Sequence, residues 1–298
     1  MPKFYSMRID EKAAGRRLDI FLHGLYPEWS REKIKKYINK ASLNSKPAKF
    51  SAHLKNGDFL EYFFEEDSAA SNCGILPEDL PVKILYEDRF LLVIDKPQGM
   101  RTHPAGCYRS GTVVNFLLDK INRLEFPDPE RAGIIHRLDK DTCGVLLCAR
   151  DSFTLSKMQE QFKKREIKKI YTLITEGSIT RDCGRIEKKI RRSRKNRKIM
   201  IVHEQGKDAI TDYRVLKRFR RHTLVQAEPI TGRTHQIRVH FQSIGYPLLG
   251  DPVYGRRNAE IPMCLCASSL SFRHPVTGQR LEISAELPGY FMNIADML

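Results

Sequence analysis

Between Trp29 and Lys40 the apolar positions Ile34, Tyr37 and Ile38 recur at helical spacing, and Ser30 stands where an N-cap is expected. The pattern predicts a helix whose opposite face is basic, carrying Arg31, Lys33, Lys35, Lys36 and Lys40. Asn44-Ser45-Lys46-Pro47 predicts a turn, and Asn56-Gly57-Asp58 predicts a second one feeding a strand through LKNGDFLEYFF. EEDSAASNCGILPEDLP, residues 65–81, is small, polar and Pro-containing, as a linker should be. The expected organisation is a small module over 1–64, a linker over 65–81 and a large domain over 82–298.

In the large domain VKILYEDRFLLVIDKP predicts two strands joined by a turn at Glu87-Asp88, the second stopped by Pro97. Val113, Phe116, Leu117 and Ile121 recur at helical spacing, as do Leu155, Met158 and Phe162. GVLLCAR, KKIYTLITEG and HTLVQAEPI predict buried or half-buried strands. Helices and strands mix without strict alternation, which points to an α+β domain built on a mixed, mostly antiparallel sheet flanked by helices. No internal repeat is present.

Charge changes this picture more than composition does. The 298 residues hold 52 Lys and Arg against 36 Asp and Glu, a formal charge of +16, and the excess favours a polyanionic partner. It concentrates in KKIRRSRKNRK, Lys188 to Lys198, with eight basic residues in eleven. A charge run alone is usually a solvated loop. Too few apolar residues accompany it for a membrane-surface role, and no apolar stretch has the length of a span. The charged N-terminal residues do not form a signal peptide, so a cytoplasmic protein is expected. Seven scattered cysteines without paired CxxC spacing indicate neither a disulfide framework nor a zinc site, and no metal is expected. The lone Cys264-x-Cys266 reads as buried thiols in a strand.

The segment IIHRLDKDTCGVLL, residues 134–147, holds Asp139 between Arg137 and Lys140. By itself such an Asp is an ordinary ion-pair carboxylate. HRLDKDTCGVLL, however, resembles the HRLD-x-x-TSG-LLL signature of RluA-type pseudouridine synthases. Further blocks follow the family in order: DKPQGMRTHPA at 95–105, KKIYTLITEG at 168–177, TGRTHQIRVHFQSIGYPLLGDPVYG at 231–255 and LSFRHPVTG at 270–278. Five ordered blocks are specific where one HRLD is not. Residues 15–64 likewise resemble the small αL RNA-binding domain first seen in a ribosomal protein.

The resemblance implies an enzyme that isomerises uridine to pseudouridine within RNA, needing no cofactor. The N-glycosidic bond breaks, the uracil turns, and C5 joins C1′. A carboxylate can serve as nucleophile or base at a sugar. By resemblance that group is Asp139, and attack at C1′, attack on the base and removal of the 2′ proton all remain open. A carboxylate covered by a base needs a fixed cation nearby to stay ionised. The family pattern supplies it as Arg238, at the front of a predicted helix with Ile237, Phe241 and Ile244 on its apolar face. The family's tyrosine falls on Tyr171, which can stack on uracil and handle the final C5 proton.

His136 and Arg137 are expected at phosphate, and Arg137 could fill the gap left by an extruded nucleotide. Arg233, His235 and His103 are expected to line an RNA-facing cleft, with Arg31 and Lys35 contacting RNA from the N-terminal module. Gly232 and Gly250 are expected at tight turns or close backbone approaches. Two residues depart from the family pattern: Cys143 replaces its Ser, and Cys266 stands where it has His. Met100-Arg101 is also more polar than the usual pair.

A kinase-like rival suggested by HRLDK lacks a Gly-rich loop, a DFG site and the required Asn; position 144 is Gly. A catalytically inactive RNA-binding or ribosome-assembly factor is the standing alternative, and retention of Asp139, Tyr171 and Arg238 discriminates against it. The implied partner is RNA, with large-subunit ribosomal RNA ahead of transfer RNA. A monomer is the default expectation.

Overall fold

The computed structural model describes residues 3–26, 34–35, 38, 40–64, 75–104, 108–122, 125–126, 131–255 and 261–297. The chain divides into two compact units, Met1–Gly74 and Ile75–Leu298.

In the first unit β1 (Lys3–Arg8), α1 (Leu18–Leu25), β2 (Lys40–Leu43), β3 (Lys46–Pro47) and β4 (Phe59–Phe64) form a helix and a sheet of order β1-β4-β2-β3. The turn expected at Asn44 to Pro47 is confined to Asn44-Ser45, both with left-handed φ (52° and 64°), and Lys46-Pro47 already pairs with β2. Two consecutive positive φ values match the twist of a two-residue hairpin. Leu18, Leu22, Leu54, Leu60 and Tyr62 fill the core. Of the predicted basic helix only Ile34 and Lys35 are described as helical; Ser30 and Arg31 lie outside the described residues.

The second unit continues with β5 (Lys83–Glu87), β6 (Leu91–Lys96), α2 (Val113–Leu117), β7 (Cys143–Ala149), α3 (Ser152–Lys164), β8 (Lys168–Glu176) and β9 (Cys183–Glu187). Then come β10 (Ile190–Arg192), β11 (Met200–Val202), β12 (Ile210–Arg218), β13 (His222–Pro229), α4 (Gln236–Ser243), β14 (Leu265–Arg273), β15 (Arg280–Ser284) and α5 (Gly289–Met297). The large sheet has order β5-β6-β7-β14-β8-β13-β12-β9, with β15 added to β14, and β10–β11 is a separate hairpin. Among the described strand pairings only β7–β14 is parallel; the fold is α+β on a mixed, mostly antiparallel sheet.

β7 is an unbroken apolar run because it is covered on both faces. Leu146 and Cys148 join one core cluster with α2, while Val145 and Leu147 join another with Met158 of α3. α3 is capped by Asp151, whose carboxylate accepts the Thr154 N–H at 2.7 Å, and it ends at Arg165 in a left-handed conformation. α2 stops at Leu117, before Ile121, although Ile121 still packs on the same core.

Residues 75–81, expected in the linker, belong to the second unit. Ile75 and Leu80 pack on its core, and Asn115 Nδ2 donates to the Leu76 carbonyl at 2.8 Å. The polar average of the segment hid these two apolar anchors. Among the described residues no helix is long and apolar enough to cross a membrane.

Candidate active site

Asp139 sits in the turn that leads into β7, with the Thr142 N–H donating to its carbonyl at 3.2 Å. Two devices hold that turn. Gly144 has φ +104°, and β14 runs so close that an added Cβ would lie 2.2 Å from the Ala267 carbonyl oxygen, so only glycine fits. On the other side the block at 95–105 clamps the segment. Lys96 is fully buried and donates through Nζ to the carbonyls of Pro97 (2.9 Å), Met100 (2.9 Å) and Lys140 (3.1 Å), and burial pulls its ammonium down to about 8. Thr102 Oγ1 donates to the Leu138 carbonyl at 2.9 Å, and Gln98 Nε2 reaches the Asp141 carbonyl at 3.0 Å.

Arg238 approaches from α4. Its Nη1 lies 3.2 Å from Asp139 Oδ2, while Nε and Nη2 donate to the two oxygens of Asp251 at 2.7 and 2.8 Å. Asp251 is fully buried and also accepts the Val253 and Tyr254 N–H groups at 2.9 and 3.0 Å. A buried guanidinium shared between two carboxylates is fixed in plane and direction. The loop before α4 is locked by Gln236, whose Oε1 accepts from Thr231 Oγ1 (2.7 Å) and the Arg233 N–H (3.0 Å) and whose Nε2 donates to the Ile210 carbonyl (2.9 Å).

Asp139, Tyr171 and Arg238 thus line one cavity of about 280 Å³, a size suited to one small ligand rather than a helix. Tyr171 arrives on β8, opposite Ala227 of β13 and Ala267 of β14. Burial, reinforced by the Asp139 charge, pushes its phenol up, so it is a neutral hydroxyl near pH 7. The arrangement offers a carboxylate held by a fixed cation and an aromatic hydroxyl on one cavity wall.

The other expected residues divide. Arg137 is exposed at the cavity rim. Arg233 lines it too, although its Nε is committed to the Asp208 carbonyl at 3.0 Å. His235 lines it with Nε2 3.8 Å from Asp139 Oδ2. His136 lines it as well, with Nε2 accepting the Leu147 N–H at 3.0 Å and its ring 5.0 Å from Phe162, which lines the cavity too. Burial drives it down to about 3, so it is a neutral ring near pH 7 and can offer a phosphate an N–H but no charge. His103 is half-buried and is not among the residues lining the cavity. In the first unit Lys35 lies 4.0 Å from Asp19.

Gly250, with φ +73°, meets the expected close approach, since a Cβ there would lie 2.4 Å from the Pro262 carbonyl oxygen. Gly232 does not: its φ is not positive and nothing lies within 4 Å. The two cysteine departures are neighbours, because Cys143 and Cys266 are directly opposed on β7 and β14, and the Cys143 thiol donates to the Leu265 carbonyl at 3.6 Å. Cys264 is buried as well but precedes the strand. Among the described residues no three His, Cys, Asp or Glu side chains gather as a metal site.

Sequence reasoning passed over Asp251, Tyr254, Lys96 and Lys169. Lys169 lines the cavity with Nζ 3.4 Å from the Thr231 carbonyl, and burial pulls it down to about 8. Asp251 and Tyr254 stand in the quoted block LGDPVYG, where Asp-x-x-Tyr directly after a glycine was the available signal.

Comparison with known proteins gives the family. The RNA pseudouridylate synthase family model matches residues 90–243, which include Asp139, Tyr171 and Arg238. An uncharacterized RNA pseudouridine synthase of Aquifex aeolicus is 37% identical, with 95% of this chain and 93% of the relative aligned. Ribosomal large subunit pseudouridine synthase D of Pseudomonas aeruginosa is also 37% identical, over 95% and 92% of the two chains. Among solved structures, human RNA pseudouridylate synthase domain containing 4 superposes with a TM-score of 0.57 at 27% identity, covering 70% of this chain and 90% of its own. With relatives so named matching nearly end to end, the chain belongs to the RNA pseudouridylate synthase family and is an RNA pseudouridine synthase.

Proposed function

We propose that this synthase acts on large-subunit ribosomal RNA, with Asp139 as the nucleophile or base, Arg238 as the cation that keeps it ionised and Tyr171 as the stacking and proton-handling group. The observation that carries the assignment is the 3.2 Å contact between Arg238 and Asp139 in the cavity that Tyr171 also lines. A cavity of this size takes one nucleotide, so the target uridine leaves its stack to enter, and Arg137 at the rim is placed to occupy the vacated position. Arg233 and His235 then face the RNA backbone.

The N-terminal unit is proposed as an αL-type RNA-binding module that adds affinity through Lys35 and Arg31, and the run Lys188–Lys198 as a further phosphate contact. The ribosomal target is supported by relatives named as acting on the large ribosomal subunit. Unpaired thiols at all five described cysteines fit a reducing cytoplasm. The working form is proposed to be a monomer.

Pseudouridine mapping of total RNA from cells with and without the protein tests this. Loss of pseudouridine at large-subunit positions is expected, and loss confined to transfer RNA would overturn the target.

A further inference from the structure

The basic run belongs to the hairpin β10–β11, and that hairpin is fastened to the helix carrying Arg238. The Lys188 ammonium donates to the Ser243 carbonyl at 2.9 Å, and His240 Nε2 donates to the Lys188 carbonyl at 3.0 Å. A third tie runs from the Met200 N–H of β11 to the hydroxyl oxygen of Tyr254, at 2.9 Å. The same hydroxyl lies 2.9 Å from Nδ1 of His235.

One arrangement of protons satisfies every contact of this chain: the Tyr254 oxygen accepts from Met200 and gives its own proton to His235 Nδ1. The ring proton of a neutral His235 then sits on Nε2, the nitrogen 3.8 Å from Asp139 Oδ2. Burial holds His235 below its ordinary value, with Asp139 and Asp251 pulling upward and Arg238 and Arg137 pushing down. The same Tyr254 ring lies 5.1 Å from the Arg238 guanidinium carbon, so one side chain supports both groups facing Asp139. His235 itself has φ +54°, a left-handed conformation that a non-glycine residue keeps only where its surroundings enforce it.

We propose that Tyr254 is a positioning residue whose hydroxyl fixes His235 as the Nε2–H tautomer, presenting an N–H toward Asp139 Oδ2, the same oxygen that Arg238 contacts. The inference rests on Asp139 being the reacting carboxylate only for its effect on rate. The tautomer itself does not depend on it. Phenylalanine keeps the ring and its contact with Arg238 but leaves the Met200 N–H unpaired, so a tyrosine serving only to tie β11 would cost stability without moving the pH profile.

Long-range ¹⁵N–¹H correlation spectra of the full chain without RNA read the tautomer, with His235→Gln assigning the signal. The Nε2–H form is expected, and the Nδ1–H form overturns the proposal. Kinetics on an RNA transcript supply the second readout. Tyr254→Phe is expected to lower kcat about tenfold with KM unchanged. It is also expected to move the acid limb of the kcat profile up by about one pH unit, because Nδ1 loses the donor that disfavours the imidazolium. In a His235→Gln background that pH shift should vanish. An unmoved profile in a Tyr254→Phe protein that melts like the parent overturns the proposal; if that variant does not fold, the tautomer of the parent decides. Asp139→Asn tests the carboxylate's role separately.

Discussion

Asp139 and Arg238, ninety-nine positions apart, meet at 3.2 Å, and Arg238 can make that contact only because Asp251 holds its other edge by two bonds of 2.7 and 2.8 Å. Arg137 and Lys140, the cations beside Asp139 in sequence, are exposed and play no such part. The proposed reacting carboxylate is therefore set by a relay, carboxylate to buried guanidinium to buried carboxylate. Each link in it can be removed separately.

Asp139→Asn keeps the side-chain shape and removes the charge. Pseudouridine formation on an RNA transcript is expected to fall by about 10³-fold or more. RNA affinity measured by filter binding should stay within about twofold of the parent, because phosphate contacts dominate binding. Full turnover by the Asn variant would remove Asp139 from its proposed role.

Asp251→Asn leaves the buried Arg238 charge without its bidentate partner. Breaking a buried pair costs about 3–5 kcal/mol, and urea denaturation should register a loss in that range. The guanidinium also loses its aim at Asp139, so kcat should fall by about tenfold in the protein that remains folded.

The same pair predicts an acid dependence. Burial alone would raise the Asp251 carboxyl, but donation from Arg238 and from the Val253 and Tyr254 amides outweighs it and holds the group below the ordinary carboxylate range. As pH falls the unfolded chain takes up this proton first. The pair's stabilisation is therefore complete above the unfolded value of about 3.9 and is lost as pH drops through the lower folded value. The gap in melting temperature between the parent and Asp251→Asn should be widest near neutral pH and close in strong acid.

Lys96→Met deletes an ammonium that satisfies three carbonyls, one of them on Lys140 beside Asp139. Unsatisfied buried carbonyls cost about 1–3 kcal/mol each at most, and relaxation of the loop should reduce the total to about 3 kcal/mol. Hydrogen exchange should show faster opening at Gly99, whose N–H donates to Lys140 at 2.9 Å. Turnover should fall while RNA binding persists.

Arg194, Lys195 and Arg197 are exposed on the loop between β10 and β11. If they neutralise phosphates, replacing all three by Ser should flatten the plot of log Kd against log salt by about 2, at roughly 0.7 per contact. An unchanged slope would make the run a solvated loop.

Reading the chain alone was most successful where one residue type has one physical use. The apolar run GVLLCAR read as a buried or half-buried strand and is one over Cys143–Ala149, and Asp139, Tyr171 and Arg238 could be picked out because five blocks kept their order. His136 reaches the expected cavity, but its ties to the Leu147 amide and Phe162 could not be read from its basic sequence neighbours. Residues 75–81 averaged as a linker although Ile75 and Leu80 are anchors.

Local pattern and motif order thus determined the α+β class, the main strands and the residues that converge on one cavity. What packing alone decided was direction: which cation reaches Asp139, which carboxylate steadies that cation, and that Lys96 points inward to three carbonyls. A side chain's partners come from long-range folding that brings β6, β7 and α4 together, and hydrogen-bond strength falls off over fractions of an ångström. No spacing along the chain carries that information.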